Sequence, residues 1–226
     1  MSAAVKLRER SAPKPTGDVV NIGGRLLLDD VSWNQYEAIC EVLSGRSALR
    51  LTYDQGSLEF MVKSPRHGWF DRRLSIFVEI LAEETEQGLE CMGDMNFRKK
   101  ELNFGFEPDD WFWIQHEHQM RGRGDWDPSF DPPPDLTIES EVAKSALDRM
   151  AIFAAYGIPE VWRFDGRRLH VHLLQPDGTY SETGSSLAFP RIAIRELTQF
   201  MRPSIDWQTA KKQVRVWVRK QLRKKK

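Results

Sequence analysis

Between Val31 and Tyr180 the spacing of apolar side chains changes period repeatedly, from the three-or-four-residue step of a helix to the two-residue step of a strand, with turn residues at the changes. Ser32 followed by Gln35 has the form of a capping box, and Trp33, Tyr36, Ile39, Cys40 and Leu43 then recur at helical spacing up to Gly45. Leu49 to Tyr53 and Ser57 to Val62 are β-prone runs about Asp54-Gln55-Gly56, a hairpin pattern. Pro65 opens a second helix with Phe70, Leu74, Phe77, Val78 and Leu81 on one face, ahead of an acidic stretch and Gly88. A strand is expected from Leu89 to Phe97, followed by a basic turn at Arg98, Lys99 and Lys100.

Asp110 to Ile114 is aromatic and β-prone, and Leu136 to Val142 reads as a strand after the stiff segment Asp131 to Pro134. A third helix over Ala143 to Tyr156 stops at Gly157, with Pro159 just beyond. Val161–Phe164 and Leu169–Leu174 flank the turn dipeptide Asp165-Gly166, and Pro176-Asp177-Gly178 turns the chain into Tyr180. Helix, hairpin, helix, central strands, helix and hairpin in this order point to an α/β protein with a mixed sheet and helices on its faces.

The 226 residues suit one core, and the eight Trp and twelve Phe, Trp111, Trp113 and Trp162 among them, supply the surface to fill it. The pattern divides the chain into a flexible basic arm (1–20), one domain (21–206) and a basic tail (207–226). In that tail Val214, Val216 and Val218 alternate like a strand, but Ala210, Val214, Val218 and Leu222 recur every four residues, which favours an amphipathic helix. A formal net charge of zero conceals an asymmetry: residues 209–226 hold nine basic groups and no acidic one, while residues 17–206 hold 20 basic and 32 acidic. An acidic body with basic ends suits a carboxylate-rich site joined to arms that hold a polyanion; it equally suits a solubilising tail. No apolar run approaches the roughly 18 residues of a membrane span and no signal-peptide core is present, so a cytoplasmic protein is expected. Cys40 and Cys91 lack metal or redox spacing and are expected to be buried thiols.

The sharpest chemical signal is Phe106-Glu107-Pro108-Asp109-Asp110 leading into an aromatic strand, with Leu136-Thr137-Ile138-Glu139-Ser140-Glu141 thirty residues on. Along a strand Asp135, Thr137, Glu139 and Glu141 share one face, where their mutual repulsion is relieved by a divalent cation; a plain solvated acidic face is the other reading. If the two strands are neighbours, Asp109 meets Glu139 in an oxygen-rich site suited to Mg²⁺ or Mn²⁺. His116 and His118, like His170 and His172, would share a strand face, but no third ligand stands at zinc spacing.

Leu51 to Gly56 with Leu58-Glu59, Ser64 to His67, Phe106 to Asp109, Pro133 to Leu136 with Ile138-Glu139, and Ile152 to Trp162 occur in this order, and together they resemble the Uma-two family of restriction endonucleases in the PD-(D/E)xK nuclease superfamily. The resemblance spans about residues 30–190. It implies a restriction-endonuclease-like core in which Asp109 and Glu139 hold a divalent metal, with Glu59 as an outer acid and His67 against phosphate or the attacking water. The implied partner is DNA, cut at phosphodiester bonds, and a homodimer is one source of sequence preference.

The chain departs from the superfamily in one place. A Lys is expected two residues after the second acid, and Glu141 stands there, removing a cation that positions the nucleophile. The next helix offers Lys144 and Arg149, of which Arg149 stays protonated and cannot act as a base, while Glu141 is a candidate third metal ligand. Three functions therefore stand open: a metal-dependent endonuclease, a nuclease-like scaffold that binds nucleic acid or a partner without cutting, and a purely structural interaction module.

Overall fold

The computed structural model describes residues 19–21, 24–45, 49–92, 97–140, 145 and 147–224. Residues 1–18 of the expected basic arm, with Glu141 and Lys144, lie outside the described residues. The first part of the chain forms β1 (Val19–Asn21), β2 (Arg25–Leu28), α1 (Trp33–Leu43), β3 (Leu49–Asp54), β4 (Ser57–Val62) and α2 (Pro65–Glu84). The central part forms β5 (Phe97–Lys99), β6 (Phe104–Phe106), β7 (Asp110–Phe112), a short α3 (Glu117–Met120) and β8 (Leu136–Ser140). Then follow α4 (Arg149–Ala155), β9 (Glu160–Phe164), β10 (Leu169–Leu174), β11 (Tyr180–Thr183) and α5 (Trp207–Lys224).

The strands form two sheets. One has the order β1-β2-β4-β3-β6-β5 with antiparallel neighbours, and its β3–β4 hairpin turns on Gln55 and Gly56, both at positive φ. The other has the order β11-β10-β9-β8-β7, in which only β8 and β9 run parallel. Parallel neighbours need a crossover, and the chain that carries α4 supplies it.

This second sheet is covered on both faces. Phe112 and Ile114 pack with Leu136, Ile138 and Trp162 against α2, through Phe70, Leu74, Phe77 and Leu81, and against the Ala210, Val214 and Val218 stripe of α5. Trp111 and Trp113 point the other way, into an aromatic cluster with Phe97, Phe106, Trp126, Phe153 and Tyr156. The polar face of β8 is therefore not solvated: Asp135, Thr137 and Glu139 are all buried. Glu160, fully buried at the start of β9, accepts from the backbone N–H groups of Leu187 and Ala188 and from Trp162 Nε1.

α2 begins where Ser64 accepts the His67 N–H and Pro65 takes the first helical position. α5 docks along it as an amphipathic helix. Trp207 packs on Trp69, the Arg73 guanidinium lies over both rings and donates to Ile205 O, and Glu84 receives Arg219 and Arg215. The two helices thus run parallel, and the basic end of α5 lies at the far end of α2 from His67.

Several expectations are corrected. Of the strand read over Leu89 to Phe97, the described residues show only a bridge from Glu90 to Trp113, and Phe97 with the supposed turn residues Arg98 and Lys99 forms β5. The third helix starts at Arg149 rather than Ala143, because the Asp148 side chain caps the Met150 N–H. His116 precedes α3 instead of lying in a strand, its Nδ1 against Asp135. Cys40 is buried as expected, whereas Cys91 is exposed.

Gly105 sits in the short β6, where a Cβ would lie 2.2 Å from Tyr36 Oη and 2.5 Å from two ring carbons of the Tyr36–Tyr53 stack. Gly105→Ala should lower the unfolding free energy in urea by about 2 kcal/mol, the scale of core overpacking, and a change below about 0.5 kcal/mol would show that Tyr36 moves aside freely.

Candidate active site

The site forms where α2, the join that precedes it, and the ends of β7 and β8 come together. In the antiparallel β7–β8 pair Asp110 lies opposite Ile138, so Asp109 and Glu139, one step further along each strand, flank each other at the sheet end. The Ser140 N–H donates to Asp109 Oδ2 at 2.8 Å, holding the carboxylate against β8. Two more donors reach Asp109. His67 Nε2 lies 3.1 and 3.0 Å from its two oxygens, and Lys63 Nζ lies 2.8 Å from Oδ1. Because an ionised carboxylate only accepts, His67 carries its proton on Nε2.

Asp71, one helical turn after His67, shares the cluster: its Oδ2 receives Lys63 Nζ at 2.9 Å and lies 3.4 Å from His67 Nε2. Ligand atoms of His67, Asp71 and Asp109 all fall within 4.8 Å of one another, a mixed nitrogen and oxygen set that could hold a metal ion once His67 Nε2 gives up its proton. Glu139 stands outside this compact group. Its Oε2 receives Arg149 Nη1 at 2.7 Å, while its buried Oε1 has no hydrogen-bond partner among the described residues.

Electrostatics follow from burial. Desolvation pushes the Asp109 carboxyl upward, but the His67 hydrogen bond and the Lys63 charge outweigh it and hold the group well below the usual carboxylate range. Desolvation would lower the His67 imidazolium, yet the bond and charge of Asp109 raise it on balance. Asp71, desolvated and facing the Asp109 charge, is pushed up to about 7. Glu139 is raised first by burial, with Asp109 adding to the shift and Arg149 opposing it.

Beside these groups lies a cleft of about 450 Å³ lined by His67, Glu139, Ser140, Arg149, Arg25 and Arg163, among others. Arg149, the first residue of α4, sends its guanidinium here, and its buried Nε and Nη2 have no partner among the described residues. Glu59 receives Arg25 Nη1 at 2.8 Å and Ser145 Oγ at 2.9 Å, so it buttresses the cleft instead of joining the Asp109 group.

A family model described as Uma2, "Putative restriction endonuclease", matches residues 33–200. The chain belongs to the Uma2 family. No curated protein matches it significantly. The mixed sheet with helices on its faces is the restriction-endonuclease-like architecture of Uma2 proteins. Among the described residues no helix is long and apolar enough to cross a membrane.

Three members of the cluster escaped notice in the sequence. Asp71 was visible in principle as an acid four residues after His67 on a helix. Lys63 and the Ser140 N–H left no such trace, because both reach Asp109 through pairings distant in sequence.

The Asp109–His67 contact makes a pH-dependent contribution to stability. A raised imidazole stabilises the fold fully below about pH 6.5 and loses that effect as pH rises through the higher folded value; a depressed carboxyl contributes fully above about pH 4 and loses it on acidification. His67→Ala should cost about 1–3 kcal/mol in urea unfolding near pH 6. The gap should narrow as pH rises, and one that stays constant into alkaline solution would show that imidazolium charge contributes nothing.

Proposed function

We propose that this chain is a metal-dependent endonuclease that hydrolyses phosphodiester bonds of DNA at the cleft beside Asp109 and Glu139. The observation that carries this reading is a pair of orphaned oxygens: Asp71 Oδ1 and Glu139 Oε1, both buried, have no donor among the described residues. A buried carboxylate oxygen without a partner is costly, and a hard divalent cation is the species that satisfies several at once. Asp109 and Glu139 would hold Mg²⁺ or Mn²⁺, with Asp71 beside them and Glu141 as a further candidate. When bound, such an ion lowers the pKa of a water and offsets charge on the phosphoryl oxygens.

The chain's own residues supply the rest. Arg149 lines the cleft while Nη1 stays on Glu139, so its fixed positive charge would attract a phosphate where the superfamily lysine is absent. His67 orients Asp109 through its Nε2 proton and lines the cleft wall. The basic end of α5 lies roughly 25 Å from His67 along α2, so it would grip a duplex about seven base pairs from the reacting phosphate.

A second reading, a scaffold that binds nucleic acid or a partner without cutting, draws support from the same ion pair. Arg149 already neutralises Glu139, and Glu141 replaces the motif lysine.

Purified protein should nick supercoiled plasmid with Mn²⁺ or Mg²⁺ and not with a chelator. Asp109→Asn and Glu139→Gln should each reduce the rate by about 100-fold or more, the scale for removing a preorganised charge from a reacting centre, while unfolding cooperatively. Salt-dependent DNA binding without cleavage at any metal concentration would favour the scaffold instead.

A further inference from the structure

Lys63 has no part in the chemistry described so far, yet it lies at the centre of the charged cluster. It occupies the join between β4 and α2, with Val62 paired to Leu49 on one side and Ser64 capping α2 on the other, so its backbone is fixed at both ends. Its ammonium sits 2.8 Å from Asp109 Oδ1 and 2.9 Å from Asp71 Oδ2, in contact with both carboxylates of the compact donor group. A divalent ion shared by those carboxylates, through the orphaned Asp71 Oδ1 or any other of their oxygens, would lie within a few ångströms of the ammonium.

We propose that Lys63 is a built-in counter-ion that governs loading of the metal, which reaches Asp109 and Asp71 only when the ammonium gives way. This rests on the metal-dependent reading of the same site. The charges support it. Lys63, with Arg149 and His67 nearby, sets positive charge directly against Asp71, Asp109 and Glu139, so a divalent ion entering between the carboxylates meets the ammonium's repulsion at short range. Of the two permanent cations Lys63 is the one suited to move. Its charge is compact, on a flexible four-carbon stem, whereas the planar Arg149 fork is held on Glu139.

The test uses the full chain and Mn²⁺ alone, titrated by calorimetry without DNA. Lys63→Met and Lys63→Gln should each bind Mn²⁺ about tenfold or more tightly than wild type, because the competing charge is gone, and Lys63→Arg should stay near wild type. Equal affinity in wild type and both neutral variants, or binding by none of them, overturns the proposal. A wild-type measurement covers the case in which neither neutral variant folds. Saturating Mn²⁺ should free the ammonium and raise its acetylation by an amine reagent, read by peptide mass spectrometry; unchanged labelling counts against it. Failure of the nuclease reading looks different: plasmid remains uncut although the neutral variants bind Mn²⁺ tightly.

Discussion

Asp109 brings an ionised carboxylate into a place where its side chain is only 1% exposed, and the arrangement around it is organised by the need to replace the water it gave up. The replacements come from three separate parts of the chain: the ammonium at the end of β4, the imidazole in the first turn of α2, and the backbone N–H of Ser140 at the end of β8. β4 belongs to one sheet, β7 and β8 to the other. One buried charge therefore ties the two sheets and α2 together at a single point, and the cleft opens beside that point.

Away from the sheet end, the second sheet is dry and aromatic. Alternate residues of β7 enter opposite clusters, and the buried Glu160 has its oxygens met by N–H groups from the 186–189 segment and from Trp162. The orphaned polar atoms of the site, Glu139 Oε1, Asp71 Oδ1 and two nitrogens of Arg149, stand in contrast to this. Buried polar atoms without a partner occur elsewhere among the described residues too, at Trp33 Nε1, Tyr36 Oη and Arg73, but the carboxylate oxygens among them are those of Asp71 and Glu139, and they mark where a cation can still gain binding energy.

Local chemistry was legible wherever one segment contained its own reason. The Ser32–Gln35 box caps α1, the Gln55-Gly56 turn closes β3 on β4, and Pro65 opens α2, each through interactions between residues close in sequence. The four-residue apolar period of the tail likewise sufficed to prefer a helix over a strand, because its stripe matches the surface that α2 and its neighbours present. Misreadings came where a distant partner overruled local preference. The segment after Gly88 has β character, but in the described residues it bridges only at Glu90, and the basic residues read as a turn pair with β6 through Arg98 and Gly105. The third helix was read too long because apolar spacing continues upstream of Asp148, whose side chain ends the helix at that point.

The sequence by itself determined the kind of protein: that strands and helices mix, where most of them lie, and that the chain carries the pattern of the Uma2 family over most of its length. These depend on period, turn chemistry and residue type, which are properties of short stretches. Only the tertiary structure decided which charges meet. Glu139 is held by Arg149, Asp109 by Lys63 and His67, and Asp71 joins them, because strand pairing and the seat of α2 on the sheet bring together residues up to 46 positions apart. Coulomb energy at a few ångströms in a desolvated interior depends on where the atoms lie, and no pattern of letters along the chain carries that distance.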